Sequence, residues 1–157
     1  MSNPAVSDLL ARSNRLGADP RNTNYAGGNT SAKGTGRDPV TGEDVELVWV
    51  KGSGGDLGTL KESGLAVLRL DRMRQLVGVY PGVDREDEMV AAFDHCLFGK
   101  GGAAPSIDTA MHGLVGHGHP SSTSVSWRED ARADRPSNYA PQPACWPPAR
   151  SVSICFW

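Results

Sequence analysis

Two short glycine-rich segments contain the residue types that bind a phosphate group. Residues 27–31 read GGNTS, in which glycine lets the backbone approach an anion closely while Asn and Ser supply hydrogen-bond donors. Residues 51–55 read KGSGG and can turn several N–H groups inward around an anion. Neither segment is a Walker motif or a GxGxxG dinucleotide fingerprint, and each one alone is more often an ordinary turn. Because both segments flank one predicted strand, an anion site and two plain turns stand as equal alternatives.

A third segment places a carboxylate and an imidazole at helical spacing. Residues 105–112 read PSIDTAMH, and Asp108 and His112 are four positions apart, so on a helix they share one face. As a lone pattern, this pair is more often part of a capped surface helix with a solvated Asp than part of a functional site.

A fourth segment has the pattern of a metal-binding pair. His117 and His119 are separated by one residue, so on an extended segment their side chains point the same way and can bind one metal ion. Catalytic zinc normally takes three protein ligands and keeps one position open. No histidine follows His119, and although His112 or His95 could supply a third ligand, nothing in the spacing requires it. As a lone pattern, the HxH pair is more often a chance event than a metal site.

The elements that position these segments are predicted from apolar periodicity and β-branched content. Residues 22–36 are rich in Asn, Gly and Thr and are predicted as loop, with at most short strands. Asp71 and Ser106 are predicted to cap the helices that follow them. Strands are predicted at residues 45–50 and 65–70, and helices at residues 4–16, 71–79, 86–98 and 106–114.

Composition limits the class of protein. A formal net charge of -2 gives no electrostatic reason to expect nucleic acid or an anionic membrane as a partner. No apolar run reaches the length of a membrane span, and the first residues lack the pattern of a signal peptide. The 3 cysteines have no CxxC spacing, which favours the cytoplasm over a disulfide scaffold.

The chain divides into two unequal parts at about Val115. Beyond that point no leucine occurs, and no glycine follows Gly118. The few aliphatic residues there would recover too little free energy on burial to offset the conformational entropy of some forty ordered residues. We therefore predict a partial domain at residues 1–115 and an irregular or disordered tail at residues 116–157, which an out-of-frame continuation would also explain.

The order of the motifs resembles the class II aldolase/adducin family. A GGNTS loop, a strand, a KGSGG loop and PSIDTxxHG follow one another from about Leu9 to Val115. More narrowly, the sequence is similar to the N-terminal aldolase half of bifunctional rhamnulose-1-phosphate aldolase/short-chain dehydrogenase proteins. The resemblance implies a three-layer α/β fold with a mixed, largely antiparallel sheet, incomplete in this chain. No Rossmann fingerprint supports a dehydrogenase activity in these residues.

The resemblance also implies a reaction and the residues that perform it. Such enzymes cleave a ketose 1-phosphate, here of the rhamnulose 1-phosphate type, to dihydroxyacetone phosphate and lactaldehyde. Asp108 matches the acid/base carboxylate, while His117 and His119 match a zinc-binding pair whose third ligand is missing. The residues that match the phosphate site are Gly28, Asn29, Ser53, Gly54 and Ser106.

Two functions follow as alternatives. The first is a fragment of a cytoplasmic zinc-dependent sugar-phosphate aldolase, inactive as this chain because the zinc shell is incomplete. Intact relatives are expected to be homo-oligomers that act on a sugar phosphate. The second is a non-catalytic, adducin-like or remnant domain that keeps part of the fold and has no enzymatic activity.

Overall fold

The computed structural model of the 157-residue chain describes residues 3–21, 23, 27–99 and 102–115. Within these ranges, no helix is long and apolar enough to cross a membrane. The elements, in chain order, are α1 (Pro4–Gly17), β1 (Ser31–Arg37), β2 (Asp44–Lys51), β3 (Leu65–Arg69), α2 (Leu70–Leu76), α3 (Glu86–Ala92) and α4 (Thr109–Leu114). Short 3-10 turns connect them at Leu57–Thr59, Glu62–Gly64, Val77–Val79, Val83–Arg85 and Phe93–Cys96.

The described strands form one antiparallel sheet with β2 in the middle. The outer edge of β3 is covered by the segment that follows α3: Leu97 bridges Leu68, and Phe98 N–H donates to Val67 O at 2.8 Å. Further along, Ala103 N–H donates to Leu65 O at 3.1 Å. The described parts of this edge segment, residues 97–99 and 102–103, therefore lie along β3, and Ala103 lies opposite the β3 residue that pairs with the end of β2.

Helices cover both faces of the sheet. Side chains alternate between the two faces along β2, and apolar residues on each face pack against helices. Leu47 and Trp49 face α1 in one buried cluster, and Val48 and Val50 face α2 and α3 in the other. The predicted three-layer α/β fold is thereby confirmed, and all the pairings among the described strands are antiparallel.

The composition of β1 did not predict a strand, because its sequence, SAKGTGR, is rich in glycine and polar residues. It forms a continuous seven-residue ladder with β2, from Ser31 opposite Val50 to Arg37 opposite Asp44. A Cβ added at Gly36 would lie 2.5 Å from Leu47 Cδ1, so glycine there makes room for a core side chain of β2. A strand of low intrinsic propensity is thus specified by its partner.

Two predicted helix caps were wrong. Asp71 is the second residue of α2, whose N-cap is Arg69, and its carboxylate pairs with the Arg69 guanidinium at 2.8 Å. Asp108, and not Ser106, is the N-cap residue of α4, and it makes no side-chain capping bond. The predicted helix 86–98 is shorter than expected, because α3 ends at Ala92 and continues as a 3-10 turn.

Candidate active site

Three separated segments meet at one end of the central strand. β1 begins where β2 ends, and Lys51 N–H donates to Thr30 O at 3.0 Å, so the two glycine loops emerge side by side. Ser53 N–H donates to Ala104 O at 2.9 Å, which attaches the second loop to the stretch that precedes Ser106. A Cβ added at Gly52 would lie 2.2 Å from Ala103 Cβ, so only glycine allows this close approach.

Asn29 joins the first loop to the proposed acid/base carboxylate. Its Nδ2 donates to Ser106 Oγ at 3.0 Å and to Asp108 Oδ2 at 3.2 Å. Its Oδ1 accepts from the Thr30 N–H at 2.8 Å, so the buried amide is satisfied at both ends. Gly28 precedes it with a φ of 78°, a left-handed conformation that favours glycine. Asn29 therefore brings Ser106 and Asp108 together beside the first glycine loop.

The second glycine loop, residues 51–55, offers fewer free backbone donors than its sequence suggests. Gly52 N–H donates to Gly64 O at 2.9 Å and Ser53 N–H to Ala104 O, so neither backbone donor is available to an anion. The expected nest of backbone N–H groups is therefore reduced in this loop. The side of the loop that faces solvent consists of Ser53, Gly54 and Gly55, which are exposed.

Lys51 lies beneath this second loop and was not among the expected site residues. The residue is only 4% exposed, and its Nζ donates to Gly54 O at 2.9 Å and to Gly52 O at 3.4 Å. Burial lowers the pKa of the Lys51 ammonium, while the charges of Asp108 and Asp56 oppose that shift. The available sequence signal was a lysine at the end of an otherwise apolar strand, a position where a charge must find partners.

His112 is a buried residue of α4 near Asp108, and its bond to Ser31 at the start of β1 attaches α4 to the sheet. Its Nδ1 and Ser31 Oγ share a hydrogen bond of 2.8 Å, and both residues are buried. Burial lowers the pKa of His112 to about 4, and the nearby Asp108 carboxylate only partly opposes that effect. The imidazole is thus neutral at pH 7, and its Nε2 is buried without a partner among the described residues. Ser31 belongs to the first glycine loop, so its motif was recognised although its bond to His112 was not.

The two histidines of the expected metal pair, His117 and His119, lie outside the described residues. His95 is exposed in the 3-10 turn Phe93–Cys96, and His112 is bonded to Ser31. Across the described ranges, no group of three or more His, Cys, Asp or Glu side chains could hold a metal ion. The described residues alone therefore do not fit a zinc site.

Fold and geometry together define an α/β domain in which two glycine loops and a PSID segment meet at one end of an antiparallel sheet. The sequence profile of the Class II Aldolase and Adducin N-terminal domain matches residues 8–126. This chain belongs to that class II aldolase/adducin family, whose aldolases are typically metal-dependent.

A curated relative and a solved structure agree with this assignment. The Bacillus subtilis (strain 168) protein named "Uncharacterized oxidoreductase YuxG" is 40% identical over 120 residues, which cover 73% of this chain and 17% of that protein. The N-terminal class II aldolase domain of a conserved protein from Thermoplasma acidophilum superposes with a TM-score of 0.63 at 27% identity. That alignment covers 73% of this chain and 52% of the other.

The chain thus spans about a sixth (17%) of the length of the curated relative and about half (52%) of the solved chain. An oxidoreductase name on the longer relative is compatible with an aldolase domain fused to a dehydrogenase.

Proposed function

We propose that this domain binds the phosphate end of a ketose 1-phosphate between its two glycine loops and the PSID segment. The observation that carries the proposal is the pair of bonds from Asn29 Nδ2 to Ser106 Oγ and Asp108 Oδ2. These bonds connect residues that are 77 and 79 positions apart, so a site assembled from separate segments is supported.

The donors in this region suit a phosphate group. Ser53 is exposed and Ser106 is half-buried, so both hydroxyls lie where a ligand could reach them. Phosphate binding by such groups orients the substrate, which lowers the entropic part of the activation barrier. Gly28 and Gly54, each with positive φ, let the backbone turn close to the ligand.

Asp108 is the group that we assign to proton transfer. It is half-buried and lies against the Asn29 amide, which fixes the position of Oδ2. Cleavage of the carbon–carbon bond of the ketose leaves an enediolate on the dihydroxyacetone phosphate fragment, and a carboxylate at this place would move the proton to and from that carbon. The ketose that we propose is of the rhamnulose 1-phosphate type, with lactaldehyde as the second product, in a cytoplasmic enzyme.

Zinc is the metal that we propose for the intact enzyme, with His117 and His119 as two of its ligands. Zinc held there would supply Lewis-acid stabilisation of negative charge on the substrate. The described residues do not make a zinc shell, and this chain supplies no histidine after His119. We therefore expect the 157-residue chain, tested alone, to bind the phosphate end of the ligand with little or no turnover.

The test compares dihydroxyacetone phosphate with dihydroxyacetone as ligands of the purified full chain, by calorimetry or by chemical-shift perturbation. We expect only the phosphorylated compound to bind, with a Kd of about 1 mM or weaker, because few hydrogen bonds must offset the cost of capturing the ligand. Ser106→Ala should weaken binding, and Ser63→Ala, at an exposed serine of a 3-10 turn, should not.

Equal binding of both compounds, or binding of neither, would contradict the phosphate site and favour the non-catalytic adducin-like alternative. Release of dihydroxyacetone phosphate from rhamnulose 1-phosphate is measured with and without added zinc in the same preparation. Zinc-dependent turnover at the rate of an intact relative would contradict the expectation that this chain is inactive.

A further inference from the structure

His112 is a buried titratable residue that the proposed reaction does not use. It is 3% exposed, and its Nδ1 and Ser31 Oγ share a hydrogen bond of 2.8 Å. Its Nε2 is buried without a partner among the described residues. Burial of an unpaired polar atom costs free energy that an apolar side chain would not lose, so the bond to Ser31 is the contact that accounts for an imidazole at this position.

Two side chains of β1 attach α4 to the sheet. Ser31 and Lys33 are two positions apart, so they project from the same face of the strand. Ser31 bonds to His112, and the Lys33 ammonium donates to Val115 O at the end of α4. α4 has only 6 residues, too few for a helix to be stable in isolation, so these bonds and its packing set its orientation.

The first turn of α4 connects His112 to the proposed acid/base carboxylate. Asp108 is the N-cap residue of α4, and the His112 N–H donates to Asp108 O at 3.2 Å. One turn of helix thus separates the Ser31–His112 bond from the bond between Asn29 Nδ2 and Asp108 Oδ2. Because Asn29 and Ser31 are also close along the chain, two bonds join the same two segments and restrict rotation of the turn between them.

The unpaired Nε2 indicates which ring nitrogen carries the proton. A proton on Nδ1 lets the ring donate to Ser31 Oγ and leaves Nε2 as an acceptor without a donor. A proton on Nε2 would leave a buried N–H without an acceptor. Buried donors without an acceptor are rarer in proteins than acceptors with an unused lone pair, so the contacts favour the Nδ1–H form.

The imidazole makes this attachment without a charge. Burial lowers the pKa of His112 to about 4, so the ring is neutral at pH 7. The charged groups that act on the ring are Asp108, which favours its protonation, and Lys33, which opposes it. A cation in the place of this ring would favour the charged form of a neighbouring carboxylate and weaken it as a base. A neutral donor therefore suits a residue that holds a carboxylate used in proton transfer.

We infer that His112 is a positioning residue for Asp108: its Nδ1–H donates to Ser31 Oγ and fixes the first turn of α4, which places the Asp108 carboxylate beside Asn29. The role of Asp108 comes from the proposed function, on which this inference rests, whereas the structural part rests on the contacts of the described residues. His112 itself is buried and is assigned no contact with the substrate.

Two variants break the bond from opposite sides. His112→Leu removes the ring, and Ser31→Ala removes its partner. His112→Asn is the conservative variant, because its amide can still donate to Ser31 Oγ. Ser13→Ala is the matched control, because Ser13 is also buried and also bonds to the first loop, at Thr30, but belongs to α1. Circular dichroism checks that each full-length variant keeps its fold.

The first measurement is the nitrogen-15 NMR spectrum of the His112 ring in the wild-type chain at about pH 7, where the ring is neutral. We expect a protonated Nδ1 and an unprotonated Nε2, because only that form donates to Ser31 Oγ and avoids a buried unpaired N–H. A proton on Nε2 would overturn the inference, because the ring could then not donate to Ser31.

The second measurement follows the side-chain amide of Asn29, whose Nδ2 donates to Ser106 and Asp108. In His112→Leu and Ser31→Ala, its protons should exchange with solvent about tenfold faster or more, as expected for loss of a buried hydrogen bond. His112→Asn should restore the wild-type signals, and Ser13→Ala should leave them unchanged. An equal acceleration in Ser13→Ala would overturn the positioning role, because any loosening of the first loop would then suffice.

If His112→Leu folds poorly, Ser31→Ala decides the question, because it removes the same bond and leaves the imidazole in place. Failure of the proposed function is distinguishable, since the Asn29 signals are measured without ligand. A wild-type chain that binds no dihydroxyacetone phosphate overturns the phosphate site. A wild-type chain that binds it, with Asn29 signals unchanged in His112→Leu and Ser31→Ala, overturns the role of His112 alone.

Discussion

The two glycine loops look alike in sequence but are held in opposite ways. In the first loop, Asn29, Thr30 and Ser31 are buried at 3%, 0% and 4% exposure, and their side chains bond to other elements. In the second loop, Ser53, Gly54 and Gly55 are exposed, and the loop is held by backbone bonds and by the Lys51 ammonium beneath it.

The partners of the first loop extend through the domain. Thr30 Oγ1 bonds to Ser13 Oγ of α1 at 2.7 Å, and Ser31 bonds to His112 of α4. Asn29 bonds to Ser106 and Asp108. Helices on either side of the sheet are thus tied to one short segment, so its side chains are committed to structure as well as to a site. In the second loop, by contrast, Ser53, Gly54 and Gly55 are exposed to solvent.

The largest expected effect comes from Asn29→Ala in the first loop. The change leaves the buried Thr30 N–H without an acceptor and takes a donor from the half-buried Ser106 and Asp108 side chains. An unpaired buried polar group costs about 1–3 kcal/mol and a half-buried one costs less, so we expect the unfolding free energy to fall by about 3–4 kcal/mol. Urea denaturation measures the loss.

Asn3→Ala is the control for that variant. Asn3 also accepts from a backbone N–H, that of Ala5 at 3.0 Å, but as a helix cap in a partly exposed position. Its loss should cost about 1 kcal/mol. Equal costs for the two asparagines would break the comparison, because the first loop would then be no more committed to structure than a surface cap.

His112, another buried polar residue, is expected to make the free energy of unfolding depend on pH. Its folded-state pKa of about 4 lies below the ordinary value of 6.5, so between these values the unfolded chain binds a proton that the folded chain does not. Stability is therefore complete above about pH 6.5 and is lost as the pH falls towards 4, by about 3 kcal/mol in total. Urea midpoints measured across this range report the slope.

His112→Asn should flatten that slope, because an amide can still bond to Ser31 and does not titrate. His95→Asn, at an exposed histidine, is the control and should keep the wild-type slope. If both variants flatten the slope equally, the buried imidazole is not the group responsible.

The smallest expected effects separate two glycines within the second loop. A Cβ at Gly52 would meet Ala103 Cβ at 2.2 Å and Ala104 O at 2.9 Å, so Gly52→Ala should cost about 2 kcal/mol through overpacking. Gly54 has a φ of 72° and no heavy atom within 4 Å of the added Cβ, so Gly54→Ala should cost about 1 kcal/mol through backbone strain alone.

Gly78→Ala is the reference for both, because the added Cβ has no neighbour within 4 Å and the backbone has no positive φ. Thermal unfolding should show almost no change for this control. A Gly54→Ala loss as large as that of Gly52→Ala would mean that the top of the loop is packed, contrary to its observed exposure.

Much of the fold was predictable because its signals are local. The helix expected at residues 4–16 is observed at Pro4–Gly17, and the strand expected at 45–50 is observed at Asp44–Lys51. Apolar periodicity was sufficient for both, since each buries one set of side chains regardless of its exact partners. β1 was not predictable, because its Lys, Thr and Gly residues form a strand only when β2 supplies the ladder and the packed side chains.

Local sequence patterns also failed to predict one helix cap and one buried residue of the site. Ser106 was expected to cap α4, but its hydroxyl instead accepts from Asn29, a competitor 77 residues away that no local pattern reveals. Lys51 was not among the expected site residues, because its burial follows from the loop that folds over it, whose Gly52 and Gly54 carbonyls accept from its Nζ.

By itself, the sequence determined which chemical groups are available and in what order: two glycine loops, a PSID segment and a histidine pair. That order was enough to indicate the class II aldolase/adducin family, which the profile match confirms. Only the tertiary structure decided which groups meet. The antiparallel register of β1 and β2 places the two loops side by side, and the segment along the edge of β3 brings Asp108 to Asn29. Such contacts depend on the path of the whole chain, because hydrogen bonds are specified by positions in space and not by distance along the sequence.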